Sequence, residues 1–531
     1  MVSCSQATIR LDAKEHKGAM NPFRRIKDWF MNRFIDTGKI EDAFNVKIAT
    51  TSDMSDLIQE WMDVYQGHPR WCGDGDDQVQ KTLSVASTIC TDLAQKALCE
   101  LAITLNKNGD DKLFDDFVKD EILSSIREQV EYGLAGGSFI VRPYYDARMR
   151  RVSLSWYTAD RFIPVEWAGK RCVSGIFVDQ LIKSRNRINE YYTKLEFHKW
   201  KYNDDGVTGT EAISVKCFKS SISDDIGKEI ALSDVPEWSD ITPQAFLDIG
   251  QDSPLFVYAK NPFANNKAPN NKAGVSIFKD GLPHLEAIDR CWNALEWERD
   301  SADRKVFVDS DMMESVRDDD GRLRIKLGGR DKKLYSVMNA GGKVTNKFMD
   351  VFSPEIRQAD YVAMIKAHLN LLCVAIHVDP GAYTFDENTG AVTATEIRTK
   401  NQKTFGTITD VQTYTLTPTL INIFKCVRTM QKAYGCPAFS YDMDVSIGYG
   451  DSILVDSDSE KENAKDEVQL GLRSKKSYLM EYRNLSEEDA EKELEQIRNE
   501  SPVEMDYFGI SDREGEENNE EEKDRKDDER K

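Results

Sequence analysis

The run SPEIRQADYVAMIKAHLNLLCVAIHVDPG, residues 353–381, decides how this chain is read. Ser353 and Pro354 read as N-cap and first helical residue: a serine oxygen accepts from an orphan amide, and proline loses no hydrogen bond in the first turn. Tyr361, Ile365, Leu369, Leu372 and Ile376 then recur three or four apart. That spacing buries one face of a helix that ends near Asp379-Pro380-Gly381. The next stretch, Ala382 to Gly390, sets Tyr383 and Phe385 among polar turn formers and is expected to project as a loop. Thr393-Ala-Thr-Glu396 has the spelling of a capping box and restarts helix. Ile397, Ile408, Val411, Ile421, Phe424 and Val427 carry an apolar face past Pro418. A proline this deep removes one backbone bond and crowds the preceding turn, which predicts a kink near Tyr414.

Upstream, Phe278, Leu282, Leu285, Ile288, Trp292 and Leu295 form a near-heptad stripe on a helix predicted to run to about Arg304. Some thirty residues would make it about 45 Å long. Short β-like runs follow at Lys305 to Val308, Leu323 to Leu327 and Lys333 to Val337, joined by turns at Asp318-Asp-Asp-Gly321 and Gly328-Gly329. Two long helices therefore bracket a small β-containing tip. Farther upstream, Ser55 to Tyr65, Leu83 to Leu105 and Lys112 to Tyr132 read as helices. The period then changes to two over Ser138 to Tyr145, Val152 to Tyr157, Arg171 to Val178, Glu190 to Trp200 and Ile213 to Lys219, which predicts an antiparallel meander. Asn261-Pro262 through Asn271 marks a boundary loop. Past Gly435, Asp442 to Gly448 reads as a strand, and Glu460 to Leu472 and Ser486 to Asn499 as helices, the last capped by Ser486.

A chain of 531 residues is too long for one core, and two to four structural units are expected. Its hydrophobic fraction of 40% and charged fraction of 31% suit a water-soluble globular protein. The longest apolar stretch, Tyr361 to Val378, contains Lys366 and His368 and reads as a buried helix, so no membrane partner is expected. Met1 to Asn21 lacks an apolar signal core, which predicts a protein that stays in the cytoplasm where it is made. Met20 would also serve as a start. Asn21 to Ile35 sets Phe23, Ile26, Phe30 and Phe34 among Arg24, Arg25, Lys27 and Arg33; it reads as a helix packing on a neighbouring domain or subunit, the alternative being a membrane surface. Ten cysteines without a C-x-x-C pair read as reduced core thiols.

The net charge of −21 argues against tight, sequence-independent grip on nucleic acid, which depends on cations that release counterions from phosphates. It does not exclude a duplex that slides past an acidic wall. Ser511 to Lys531 is an acidic, low-complexity tail that is expected to be disordered. The motifs of catalysis are missing: there is no phosphate-binding G-x-x-x-x-G-K-[ST], no G-x-G-x-x-G, no H-E-x-x-H and no G-x-S-x-G. His368 and His377 are nine apart on one helix, out of step for joint metal ligation. Asp318-Asp319-Asp320 and Asp442-x-Asp444 read as solvated turns. No catalytic residue, cofactor or metal is expected, and the chain is expected not to be an enzyme.

Gly274-Val-Ser-Ile-Phe-Lys-Asp-Gly-Leu-Pro-His-Leu-Glu-Ala-Ile-Asp289 with Trp292-Asn-Ala-Leu295, Thr393-Ala-Thr-Glu396 after a proline-glycine loop, and Ile58-x-x-Trp61…Tyr65 with Pro69-Arg-Trp71 together resemble portal proteins of tailed bacteriophages infecting Gram-positive hosts. The likeness covers about residues 21–500. It implies an α+β, mainly helical fold: an N-terminal arm and β-rich wing over 1–274, paired stem helices at 275–304 and 353–378, and a β-containing clip at 305–352. It further implies a tunnel loop at 379–392, a long kinked wing helix at 393–434, a helical crown at 435–500 and a disordered tail at 501–531. Members form rings, dodecameric as a rule, at one capsid vertex.

By that resemblance the chain would be a homo-oligomeric head-tail connector of the virion, assembled in the host cytoplasm. It would conduct double-stranded DNA without reading its sequence during packaging and ejection. It would dock the terminase large subunit and head-completion or adaptor proteins, and meet major capsid and scaffold proteins. Tyr383, Thr384, Phe385, Asp386, Glu387 and Asn388 would form the loop facing the DNA. Lys332 and Lys333 in the clip, and Arg398, Lys400 and Lys403 beside the loop, are candidate phosphate contacts, surface solubility being the plainer explanation of them. Pro418 would set the helix kink. The alternative is another capsid-associated adaptor or scaffold protein.

Overall fold

The computed structural model describes residues 37–73, 81–105, 111–185, 188–204, 206, 208–222, 225–302, 305–309, 315–317, 323–325, 335–338, 349–352, 355–383, 401–439, 445–450, 464–483 and 487–500. They fall into two compact units, Met1–Leu454 and Val455–Lys531. The architecture is mixed helix and sheet, as an α+β chain requires. Asn21 to Ile35, the Asp318 and Gly328 turns, the Ser353-Pro354 pair, the Thr393 capping box, Ser486 and the acidic tail lie outside the described residues.

The described part of the first unit begins with three helices, α1 (Thr37–Phe44), α2 (Ser52–Tyr65) and α3 (Val85–Ala97). The expected helix from Leu83 to Leu105 is corrected: Glu100 takes a φ of 51°, and Ala102–Leu105 become strand β1, paired with Val445–Gly448. The pairing with a distant strand satisfies the amides that the helix would otherwise have used. Helix α4 (Lys112–Phe117) is capped by the Asp111 carboxylate, which accepts from the Leu113 and Phe114 amides. It continues through a π turn, Val118–Leu123, into α5 (Ile126–Gly136).

Gly137 ends α5 at a φ of 95°, and its backbone stacks against Gly274: a Cβ at Gly274 would lie 2.0 Å from the Gly137 carbonyl oxygen. Only two glycines allow that approach. Asn261 crosses the same point, its side-chain amide donating to the carbonyls of Gly133 and Val275 at 2.9 and 3.0 Å.

The predicted single meander is two sheets. Strands β2 (Ser138–Asp146) and β3 (Arg151–Thr158) form one with β10 (Val257–Lys260), in the order β10-β2-β3. Strands β4 (Phe162–Ala168), β5 (Arg171–Arg185), β6 (Ile188–Tyr202), β7 (Gly209–Ser220) and β8 (Lys228–Ile230) form the other in chain order, with β9 (Gln244–Gln251) also on β7. The break follows from the 3-10 turn Ala159–Arg161, where buried Asp160 takes a short bond from the Thr158 hydroxyl and redirects the chain. The open edge of β2 is then filled by β10, more than a hundred residues later.

Helix α6 (Leu282–Ser301) is twenty residues long, about 30 Å, shorter than the stripe predicted. Phe278 is fully buried but lies in the turn before it, and Pro283 occupies the first turn. The β-containing stretch holds β11 (Lys305–Asp309), β12 (Ser315–Arg317), β13 (Leu323–Ile325), β14 (Tyr335–Met338) and β15 (Met349–Phe352). Strand β11 pairs parallel with β14 and antiparallel with β15, while β12 and β13 form a hairpin. Strands β12 and β15 were not foreseen.

Helix α7 (Gln358–Ala375) begins after Arg357, not at Ser353-Pro354. Helix α8 (Gln402–Asp410), a π segment Val411–Leu416 and α9 (Thr417–Ala433) run on without a break, with Pro418 in the first turn of α9. The irregularity lies immediately before Pro418, a residue that has no N–H to donate to the preceding turn. Phe424 of α9 packs on Phe114, Phe117 and Phe439 with centroids 5.0 to 6.4 Å apart, in the core shared with α2 to α7.

In the second unit residues 464–469 are helical, followed by Lys475–Arg483 and Glu487–Glu500. The last two are joined by Lys476 and Glu491 at 2.5 Å.

Candidate assembly and nucleic-acid interface

Helices α6 and α7 form an antiparallel hairpin whose register is fixed at three levels. At the far end, the Arg357 guanidinium and its backbone N–H all donate to Glu298, at 3.0 to 3.1 Å. About one turn from the near end, His284 Nδ1 and His368 Nδ1 lie 3.4 Å apart. At the near end, Gly281 faces Leu372 and Ile376 so closely that a Cβ would come within 2.5 Å of Leu372. The Arg357 guanidinium and N–H hold the Glu298 carboxyl down at about 2. Burial, then the neighbouring His368, lowers the pKa of His284. Arg357 stands at the N-cap of α7, and its otherwise orphaned backbone amide is satisfied by Glu298.

The opposite side of α6 is tied to residues 71–83. Trp71 Nε1 and the Leu83 amide donate to the two oxygens of Asp289, each at 2.9 Å. Asn293 bridges the Lys81 backbone, donating to its carbonyl and accepting from its amide. Among the described residues the outer side of α7 has no such tie. Met364, Ala367, Leu371 and Val374 are exposed, the three large ones by about half (49, 50 and 51%), and their three-four-three spacing is that of a coiled-coil seam. Trp297 of α6 is 72% exposed.

The chain after α7 leaves and re-enters at one clamped point. The Asp379 carboxylate accepts from the Thr404 amide and hydroxyl, each at 2.9 Å, and from the Lys403 amide at 3.4 Å. It therefore caps the first turn of α8 from twenty-odd residues away. Thr404 Oγ1 accepts from the Asp379 amide in return, and Thr407 donates to the His377 carbonyl. The π segment is held as well: Gln412 donates to the Ala97 carbonyl, and Thr415 to that of Lys260.

Of the residues singled out from sequence, Tyr383, Lys403 and Pro418 are described; Thr384, Phe385, Asp386, Glu387, Asn388, Lys332, Lys333, Arg398 and Lys400 lie outside the described residues. Tyr383 does not project. It packs on the main core and donates to Asp92 Oδ2 at 2.8 Å, and burial followed by that carboxylate pushes its phenol well above the ordinary range. Asp92 also pairs with Lys96. The aromatic residue read as a loop tip is the anchor of the loop's root. Lys403 is exposed and its amide is held by Asp379.

The densest charge cluster is buried in the sheets. Arg142 of β2 donates to both Glu196 oxygens, one of them at 3.0 Å, and to Tyr157. His198 lies between Glu196 (3.1 Å) and Glu211 (2.7 Å), and the Leu255 amide donates to the second Glu211 oxygen. Burial opposes these charges, but mutual pairing holds Glu196 below and His198 above their usual values. This network bolts the two sheets together. A cavity of about 260 Å³ lies elsewhere, lined by residues that include Phe117, Arg151 and Phe439. Among the described residues no three His, Cys, Asp or Glu side chains converge to hold a metal ion, and no helix is long and apolar enough to cross a membrane.

The family profile described as "Phage portal protein, SPP1 Gp6-like" matches residues 55–504. No curated protein matches the chain. Similar solved structures include the "Neck of native GTA particle computed with C12 symmetry", at 11% identity and a TM-score of 0.35, covering 74% of this chain and 88% of that one. The "Virion of native gene transfer agent (GTA) particle" is similar at 10% identity and a TM-score of 0.36, covering 78% and 89%.

Proposed function

The chain belongs to the SPP1 Gp6-like family of phage portal proteins, and from that membership we propose that it assembles into a closed ring, a dodecamer, that serves as the DNA conduit at one capsid vertex. The observation that carries the reading is the bare apolar seam Met364, Ala367, Leu371, Val374 on a helical hairpin whose register is otherwise fixed by Glu298 and Arg357. Leaving that stripe in water is unfavourable by roughly 25 cal/mol per Å² of apolar surface, and a neighbouring copy would cover it.

In this reading α6 and α7 are the stem and β11 to β15 the clip. The sheets with the N-terminal helices are the wing, and the second unit contributes to the crown. The clip faces the terminase large subunit during packaging and head-completion or adaptor proteins afterwards. The ring also meets major capsid and scaffold proteins. The segment rooted at Asp379 and Tyr383 is the tunnel loop beside duplex DNA. The chain carries no catalytic role; it positions and seals. Its place is the portal vertex of the virion, reached from the host cytoplasm.

The reading is tested by deleting Thr384 to Gly390, which spares the Tyr383 anchor. Rings that form but fail to package or retain DNA support it, and normal packaging removes the loop's assignment.

A further inference from the structure

Three segments meet around the Tyr258 ring, and each brings a lysine. Trp167, just before the β4–β5 turn, packs edge-on against Tyr258 at 5.3 Å between centroids. The Gly274 amide donates to the Tyr258 hydroxyl. Lys260 lies two residues after Tyr258 on the same face of β10, and a Cβ at Gly274 would stand 3.1 Å from the Lys260 Cβ. Lys170, in the turn after Trp167, and Lys272, two residues before Gly274, are exposed, while Lys260 is half-buried. Among the described residues none of the three has an ion-pair partner. Burial and then the charges of Lys170 and Lys272 push the Lys260 pKa below its usual value.

Three cations on segments that converge at Tyr258, in a chain of net charge −21, form a local exception to its field. Like charges held together cost free energy that an anion would remove. The turn at Gly169 (φ 62°) and the Gly137–Gly274 stack fix the backbones that carry them, so the charges cannot simply splay apart at their roots.

We propose that Lys170, Lys260 and Lys272 form a contact site for the phosphodiester backbone of duplex nucleic acid on the sheet region, separate from the loop root at Asp379. An acidic protein segment is the competing occupant. A phosphate group is favoured because it presents its charge on compact oxygens to three cations at once. Repetition around an assembly would turn a weak single contact into an effective one. The inference rests on the portal reading only for the presence of duplex DNA.

The test is fluorescence anisotropy of a 20-base-pair duplex with the full-length assembled protein across a salt series. Its variants are Lys170→Glu with Lys272→Glu, both at exposed positions, the triple alanine substitution, and a triple arginine substitution as the charge-preserving control. One phosphate neutralised at each engaged site predicts a slope of log K against log salt of about −0.9 per site. The glutamate pair is expected to weaken binding at least tenfold and flatten that slope, with the arginine variant close to the parent. Unchanged affinity and slope in the glutamate pair would overturn the inference, as would equal binding of polyglutamate. Electron microscopy of the same samples separates the two failures: intact rings with unchanged binding sink this inference alone, whereas a parent protein without rings sinks the ring itself.

Discussion

Glu298 and Arg357, fifty-nine residues apart, share a two-pronged ion pair and a backbone hydrogen bond that close the far end of the α6–α7 hairpin. The Glu298 carboxyl is held at about 2, below its ordinary value, so the pair adds stability that is fully present above about pH 4.5 and is lost as pH falls toward 2. Arg357→Gln should return the carboxyl toward its ordinary range and remove that contribution at neutral pH. Thermal unfolding from pH 2 to 7 checks this: the gap between parent and variant should be open at pH 6 and closed near pH 2.

Arg142 and Glu196 form a pair whose side chains are only 12 and 9% exposed, so removing one partner strands a charge. Glu196→Ala should cost about 3–5 kcal/mol in denaturant unfolding, whereas Arg142→Met with Glu196→Leu should cost far less. His198, raised by its two carboxylates, adds stability that is complete below pH 6.5 and fades as pH climbs through its folded value. His198→Gln should remove that alkaline loss.

Asp379 caps α8 from a distance, and Asp379→Ala leaves the Thr404 and Lys403 amides without their acceptor. A loss of about 0.5–2 kcal/mol is expected by chemical denaturation. Asp379→Asn, which keeps an acceptor oxygen, should recover most of it.

Pro418→Ala restores an N–H worth about 3 kcal/mol in a regular helix. Straightening Val411–Leu416 would, however, rotate Thr404, Thr407 and Ile408 out of the core and break the bonds from Gln412 and Thr415. Packing outweighs the proline, so the π segment should persist in the variant. A cryo-EM map of that variant showing regular α-helix through Tyr414 would reverse this.

Much of the fold was legible because its elements repeat locally. The α7 stripe and the strand periods follow from spacing within a few residues. The split of the meander was hidden because β10 reaches β2 from more than a hundred residues away, and no local period announces a change of sheet. The same distance hid the site. Tyr383 reads as a projecting aromatic until Asp92 is brought beside it. Asp379 carries no sign of capping α8, and Lys170, Lys260 and Lys272 are unremarkable until Tyr258 gathers their segments. The heptad stripe ran too far at its start because Phe278 keeps the spacing while sitting in a turn.

Ring formation through the α7 seam is the central claim, and Leu371→Glu with Val374→Glu isolates it, because exposed substitutions shift subunit stability by only about 0.5 kcal/mol. Mass measurement and class-averaged electron micrographs of parent and variant test it most directly. The parent is predicted to give a closed ring with a bore wide enough for duplex DNA, and the variant monomers that unfold at nearly the parent temperature. A parent that stays monomeric under every assembly condition, or a variant that closes rings as the parent does, would contradict the account.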